Sequence, residues 1–235
     1  MHIKLTTCRI SLLSLLLVFS ISIARAGDTT FPPLSPNAVE GKLTNGLRYI
    51  LVPTTNQSHK IEMRMIMRIG SLVEDEEQRG CAHFLEHLAF EGTKRFPNRT
   101  MIQAFEAQGM KYGRDINAFT GFDRTIYSLS LPITSAQQRS EILQLALHSA
   151  SDWLGAIDIS TSHVENEKGT IIEELRSYTL PDDFYTLKIG TGRYSKRMPL
   201  GSEQEIKAVT PKALLQYYNK WYKPHNATTV SYTHL

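Results

Sequence analysis

The sequence His83-Phe84-Leu85-Glu86-His87 sets two imidazoles four positions apart, with a carboxylate between them. In a helix, residues four apart share one face, so both rings can aim a nitrogen at a single ion. Two imidazoles and one further protein ligand suit zinc, with Zn–N distances of about 2.0–2.1 Å. Glu86 lies near the same face, where it can hold a water that zinc makes acidic and take its proton. Phe84, Leu85, Leu88, Ala89 and Phe90 surround the motif with apolar side chains. Ionisable groups on so buried a helix cost free energy unless they are paired or bind metal.

This is the H-x-x-E-H order of the inverted zinc-peptidase motif. A catalytic zinc needs a third protein ligand and one open position. The stretch Val164-Glu165-Asn166-Glu167-Lys168 is the natural source. Its helix has an apolar face of Val164, Ile171, Ile172 and Leu175, and Glu165 and Glu167 lie on opposite shoulders of that face. Helix geometry alone leaves the choice open, with His163 as a weaker option. Glu173 and Glu174 are candidates for orienting the ligands from outside, or for plain solvation.

The elements that carry these residues follow from pattern. Gly41 to Val52 reads as two short strands around Asn45-Gly46, a pair that favours a tight hairpin turn. Lys60 to Ile69 alternates, with Ile61, Met63, Met65 and Met67 on one face and Glu62, Arg64 and Arg68 on the other. Glu76 to Glu91 reads as one helix containing the motif. Asn98 to Gly109 reads as a second helix. Strands are expected at Ile116–Phe119 and Thr125–Leu131. Ser135 to Leu154 is a long amphipathic helix whose apolar side includes Ile142, Leu143, Leu145, Ala146, Leu147 and Trp153. Helices over Ser160 or Thr161 to Tyr178 and over Pro211 to Tyr222 complete the series. The fold class is therefore α+β: one sheet of mainly antiparallel strands layered with helices.

The rest of the chain bounds its setting. It has 235 residues, 41% hydrophobic and 21% charged, an ordinary globular balance. Residues 1–26 have Lys4 and Arg9, an apolar run from Ile10 to Ile23, and Ala24-Arg25-Ala26 before Gly27. That is the pattern of a secretory signal peptide, followed by an extended lead-in at 27–37 and one domain over 38–235. The apolar run is short for a bilayer span, and no other segment is long and apolar enough. Without Lys4, Arg9 and Arg25 the chain holds 23 basic and 23 acidic residues, so its charge gives no support for nucleic-acid binding. Cys81 is then the remaining cysteine, which excludes an internal disulfide and reads as a small buried hydrophobe.

Taken in order, these segments resemble the pitrilysin/insulinase family of zinc peptidases, and its bacterial periplasmic members most. The resemblance rests on Leu43-Thr-Asn-Gly-Leu-Arg-Tyr49, Gly70-Ser71, Gly80 to Thr93 around the motif, Gly113 to Thr120, Glu165 to Glu174, and Tyr218 to Asn226. It implies the insulinase-type metallopeptidase fold, one zinc ion, and hydrolysis of peptides or small unfolded proteins in the periplasm. It implies His83, His87 and Glu165 as ligands, Glu165 being the first Glu of a Glu-x-Glu-(Lys/Arg) run, and Glu86 as general base. It also implies that Asn117 and Ala118 offer edge-strand backbone groups to an extended peptide substrate. In the family a homologous second half, or a partner subunit, closes the chamber and supplies an Arg and a Tyr. The polar run Val230 to Leu235 departs from the family's apolar strand and reads as a truncated frame. Two rival readings follow: a non-catalytic peptide-binding or chamber-forming subunit, and a fragment inactive without its second half.

Overall fold

The computed structural model describes residues 35–54, 59–178, 190 and 192–233. The expected signal peptide, most of the lead-in and the last two residues lie outside the described residues. Strands β1 (Val39–Lys42) and β2 (Arg48–Pro53) form the expected hairpin. Gly46 adopts φ 95° at its turn, and Asn45 Oδ1 accepts from Leu47 N at 3.0 Å. Strand β3 (Lys60–Met67) buries every second residue, as its alternation predicts. Strands β4 (Ile116–Thr120), β5 (Thr125–Pro132) and β6 (Ala227–Thr233) complete a six-stranded sheet in the order β1-β2-β6-β3-β5-β4. Every pairing is antiparallel except that of β2 with β6. Strand β6 was not anticipated. Its Thr-Thr-Val-Ser-Tyr-Thr run is polar but mostly β-branched or aromatic, and such side chains fit a pleated, half-buried surface.

Among the described residues, six helices accompany the sheet: α1 (Cys81–Glu91), α2 (Thr100–Ala107), α3 (Ala136–Gly155), α4 (Thr161–Tyr178), α5 (Glu203–Ala208) and α6 (Pro211–Trp221). Their buried side chains share one core with Ile61, Met63, Met65 and Met67 of β3 and with Tyr127, Leu129 and Leu131 of β5. Trp153 of α3 stacks on Tyr127 at 4.6 Å between ring centroids, and its Nε1 donates to Ala89 O of α1 at 3.1 Å. Helix α1 is thereby fixed against both the sheet and α3.

Three expectations need correction. The single helix from Glu76 to Glu91 is two pieces, a 3₁₀ turn at Glu76–Gln78 and then α1. Gly80, at φ 83°, takes a left-handed conformation that interrupts the helix and lets α1 start in a new direction. Leu147 belongs to the apolar side of α3 by sequence but is 59% exposed, because the sheet meets the stripe of Ile142, Ala146 and Trp153 instead. Helix α5 was missed, although Ser202 and Glu205 form a capping box: Ser202 Oγ accepts from Glu205 N at 3.2 Å, and Ser202 N donates to Glu205 Oε2 at 2.8 Å.

Leu85 of α1 is wholly buried, whereas Leu147 is not. Leu85→Ala is expected to cost about 2–5 kcal/mol in urea unfolding and Leu147→Ala under about 0.5 kcal/mol. Equal losses at the two sites would contradict the assignment of the core.

Candidate metal centre

Helix α1 carries His83, Glu86 and His87 toward α4. The two imidazoles meet edge to face, with ring centroids 4.7 Å apart. The carboxylate that joins them is Glu174. Its Oε2 lies 2.9 Å from His87 Nε2 and 3.7 Å from His83 Nε2. One donor atom from each of His83, His87 and Glu174 falls within 4.8 Å of the others. His87 Nδ1, the other ring nitrogen, bonds Glu167 Oε1 at 2.8 Å.

Glu165 is not brought to this cluster. Its side chain is 56% exposed and pairs with Lys168 at 2.8 Å, whereas that of Glu167 is 8% exposed. The reason lies in the phase of α4. Val164, Glu167, Ile171 and Glu174 recur at intervals of three and four and form one stripe, and α1 packs on that shoulder of the apolar face. Glu165 falls on the opposite shoulder. The seven-residue spacing of Glu167 and Glu174, in step with Val164 and Ile171, was the usable signal. Glu173 points away and pairs with Arg176 at 2.7 Å. His163 lies 3.3 Å from Asp158 and takes no part in the cluster.

Glu86 is buried, and its carboxylate accepts a hydrogen bond from Thr120 Oγ1 of β4. Thr120 escaped notice in the sequence. Alternation along β4 puts it on the same face as Ile116, both buried toward the helices. Asn117 and Ala118 lie on β4, the last strand of the sheet. Asn117 Nδ2 donates to Gly113 O at 3.4 Å, and its Oδ1 accepts from Ala118 N at 2.8 Å.

The charges are strongly coupled. Burial raises the Glu86 carboxyl above its ordinary range, although His83, Thr120 and His87 all favour its ionised form. The His83 ring and the hydrogen-bonded His87 ring hold Glu174 well below the usual carboxylate range. Burial alone would depress His87, but the hydrogen bonds to Glu167 and Glu174 outweigh it and hold the imidazole up at about 9. The two carboxylates thus favour a proton on His87, where three electron-pair donors converge. A tetrahedral zinc ion with bonds of about 2.0–2.1 Å spaces its ligand atoms about 3.3 Å apart. The donor set fits that requirement with small side-chain adjustments. Glu167 then has the place of the outer carboxylate that fixes the tautomer of a ligating histidine.

An α+β domain with an H-x-x-E-H helix set against a second, carboxylate-bearing helix defines a class of metallopeptidase domain. The family model described as insulinase (peptidase family M16) matches residues 49–183, more than half of the chain, which belongs to that family. It is 36% identical over 203 residues to the probable zinc protease PqqL of Haemophilus influenzae, covering 84% of this chain and 22% of that protein. It is 33% identical to the probable zinc protease PqqL of Escherichia coli, covering 84% of this chain and 21% of that protein. The crystal structure of the first half of the periplasmic protease PqqL from Escherichia coli superposes with a TM-score of 0.78 at 32% identity. That match covers 87% of this chain and 44% of the solved one. The chain thus spans about a fifth of the length of these curated relatives.

In chelator-treated protein, the raised pKa means that folding favours the His87 imidazolium. Its contribution to stability is fully present below about pH 6.5 and is lost as pH rises through about 9. NMR titration of the His87 ring is expected to show a midpoint well above 6.5, moving down in Glu174→Gln. A midpoint near 6.5 would show that the two carboxylates do not hold the ring.

Proposed function

We propose that this chain is a zinc-dependent endopeptidase domain in which His83, His87 and Glu174 hold one zinc ion. The observation that carries the reading is the convergence of their three donor atoms beside a buried, hydrogen-bonded Glu86. Glu167 orients His87 through its Nδ1. When bound, zinc supplies Lewis acidity, making water acidic near neutral pH and polarising a carbonyl. Glu86, held by Thr120, takes the proton of the attacking water and delivers it to the leaving amine. Its raised affinity for a proton suits both halves of that transfer.

The peptide lies along β4, the edge strand that ends at Thr120. Backbone hydrogen bonds from an extended peptide give affinity with little dependence on side chains. Asn117 Oδ1 occupies the Ala118 N–H until a peptide carbonyl replaces it. Peptides and small unfolded proteins, which can present extended backbone, are the substrate class. A homologous second half completes the chamber, consistent with relatives about four times as long as this chain. Residues 1–26 are a signal peptide that directs the protein to the periplasm, and 38–235 form the first peptidase domain. Among the described residues no helix is long and apolar enough to cross a membrane.

The test uses the full-length protein. Glu86→Gln is expected to retain one zinc per site by atomic absorption while peptide hydrolysis falls at least about a thousand-fold, reflecting loss of general-base chemistry and proton delivery. Substantial turnover in that variant would refute the role of Glu86. Glu174→Gln is expected to lose zinc affinity by about a hundred-fold or more and Glu165→Gln to stay within about two-fold, since only the former removes a ligand. The reverse ranking would restore Glu165 as the third ligand.

A further inference from the structure

The turn that leads into α1 is fastened from two directions. Glu74, 1% exposed, stands where a helix usually has a short polar cap. Its Oε2 accepts from Gly80 N at 3.1 Å and its Oε1 from Ala82 N at 2.8 Å. One carboxylate therefore grips the first turn of α1 with both oxygens, immediately before His83. The backbone of Glu74 is held in turn by Arg197, 6% exposed, which comes from the segment before α5. Arg197 Nε donates to Glu74 O at 2.9 Å and Nη2 to Glu76 Oε1 at 2.7 Å, while Ser71 Oγ donates to Arg197 O at 2.6 Å. Arg193 reaches Leu72 O, and Arg79 reaches Glu205 on α5.

A two-point grip of this kind fixes the rotation of a helix about its axis as well as its position along it. An imidazole nitrogen lies several ångströms from that axis, so a rotation of about 10–20° displaces it by about 1–2 Å. Functional constellations tolerate about 0.5 Å. Gly80 leaves the start of α1 without a side chain of its own to set the angle.

We propose that Glu74 and Arg197 form a brace that sets the rotation of α1 and, through it, the metal affinity of His83, His87 and Glu174; this rests on the zinc reading above. Both are positioning residues, remote from the reacting atoms. The brace links residues 71–79 to residues 193–205, so the segment that precedes α5 takes part in tuning a site it does not touch.

In the full-length protein, Glu74→Gln keeps one acceptor and loses the other, and Arg197→Lys keeps the charge but loses the fork that spans Glu74 O and Glu76. Zinc affinity, read by competition with a chromophoric chelator, is expected to fall about ten-fold in each, in the range seen when groups behind a metal ligand are altered. The visible spectrum of the Co²⁺-loaded protein is expected to change in band position or intensity, reporting altered ligand geometry in protein that is still folded by circular dichroism. If Glu74→Gln does not fold, Arg197→Lys decides alone. Unchanged affinity and an unchanged Co²⁺ spectrum in folded variants would overturn the brace while leaving the zinc site intact. A wild-type protein that binds no zinc would overturn the zinc reading, and the brace with it.

Discussion

Charge buried between two helices has to be paired, and the contact of α1 with α4 is organised around that requirement. The two helices contribute Phe84, Leu85, Val164 and Ile171 to the core, yet they also bring together His83, Glu86, His87, Glu167 and the half-buried Glu174. Each of these would cost several kcal/mol if left alone. They are tolerated because carboxylates alternate with imidazoles, and because Thr120 reaches across from the sheet to Glu86. A doubly charged cation at the convergence point would satisfy the same need better than a shared proton, which would make metal affinity and helix packing two aspects of one electrostatic constraint.

The rest of the fold holds the two helices in register. Strand β4 brings Thr120 beneath Glu86. Helix α3 secures α1 from the other side through Trp153 and Ala89. The turn before α1 is clamped by Glu74, whose own carboxyl is pushed up to about 8 by burial. A buried acid of this kind is an expensive substitute for a serine or aspartate cap. Its length lets it approach the helix end from a turn nine residues upstream of His83, where a shorter side chain would not reach.

Much of this was legible in the residues. The His pair and the Glu86 between them are a local pattern, readable because helix periodicity alone aligns them. The alternation of β3 and the Asn45-Gly46 turn are equally local. The third carboxylate was harder. Glu165, Glu167 and Glu174 all lie on α4, and choosing among them depends on which shoulder of the helix meets α1, a tertiary fact. The seven-residue step from Glu167 to Glu174 carried that information only if read together with Val164 and Ile171. Resemblance pointed to Glu165, whereas the packed helix turns Glu167 and Glu174 toward the His pair. Thr120, Glu74 and Arg197 were invisible for the same reason: each acts across a long stretch of sequence, on a partner that no local period reveals.

Strand β6 separates β2 from β3, although those two strands are near neighbours in the chain. Arg48 is registered with Thr228, and Ile66 pairs with the same residue on its other side. The centre of the sheet therefore waits on residues synthesised almost last in this stretch. Until they emerge, the hairpin has no ladder joining it to the remaining strands, and two interior strands present open edges. High contact order of this kind slows folding and lengthens the interval in which strand edges can pair with other chains.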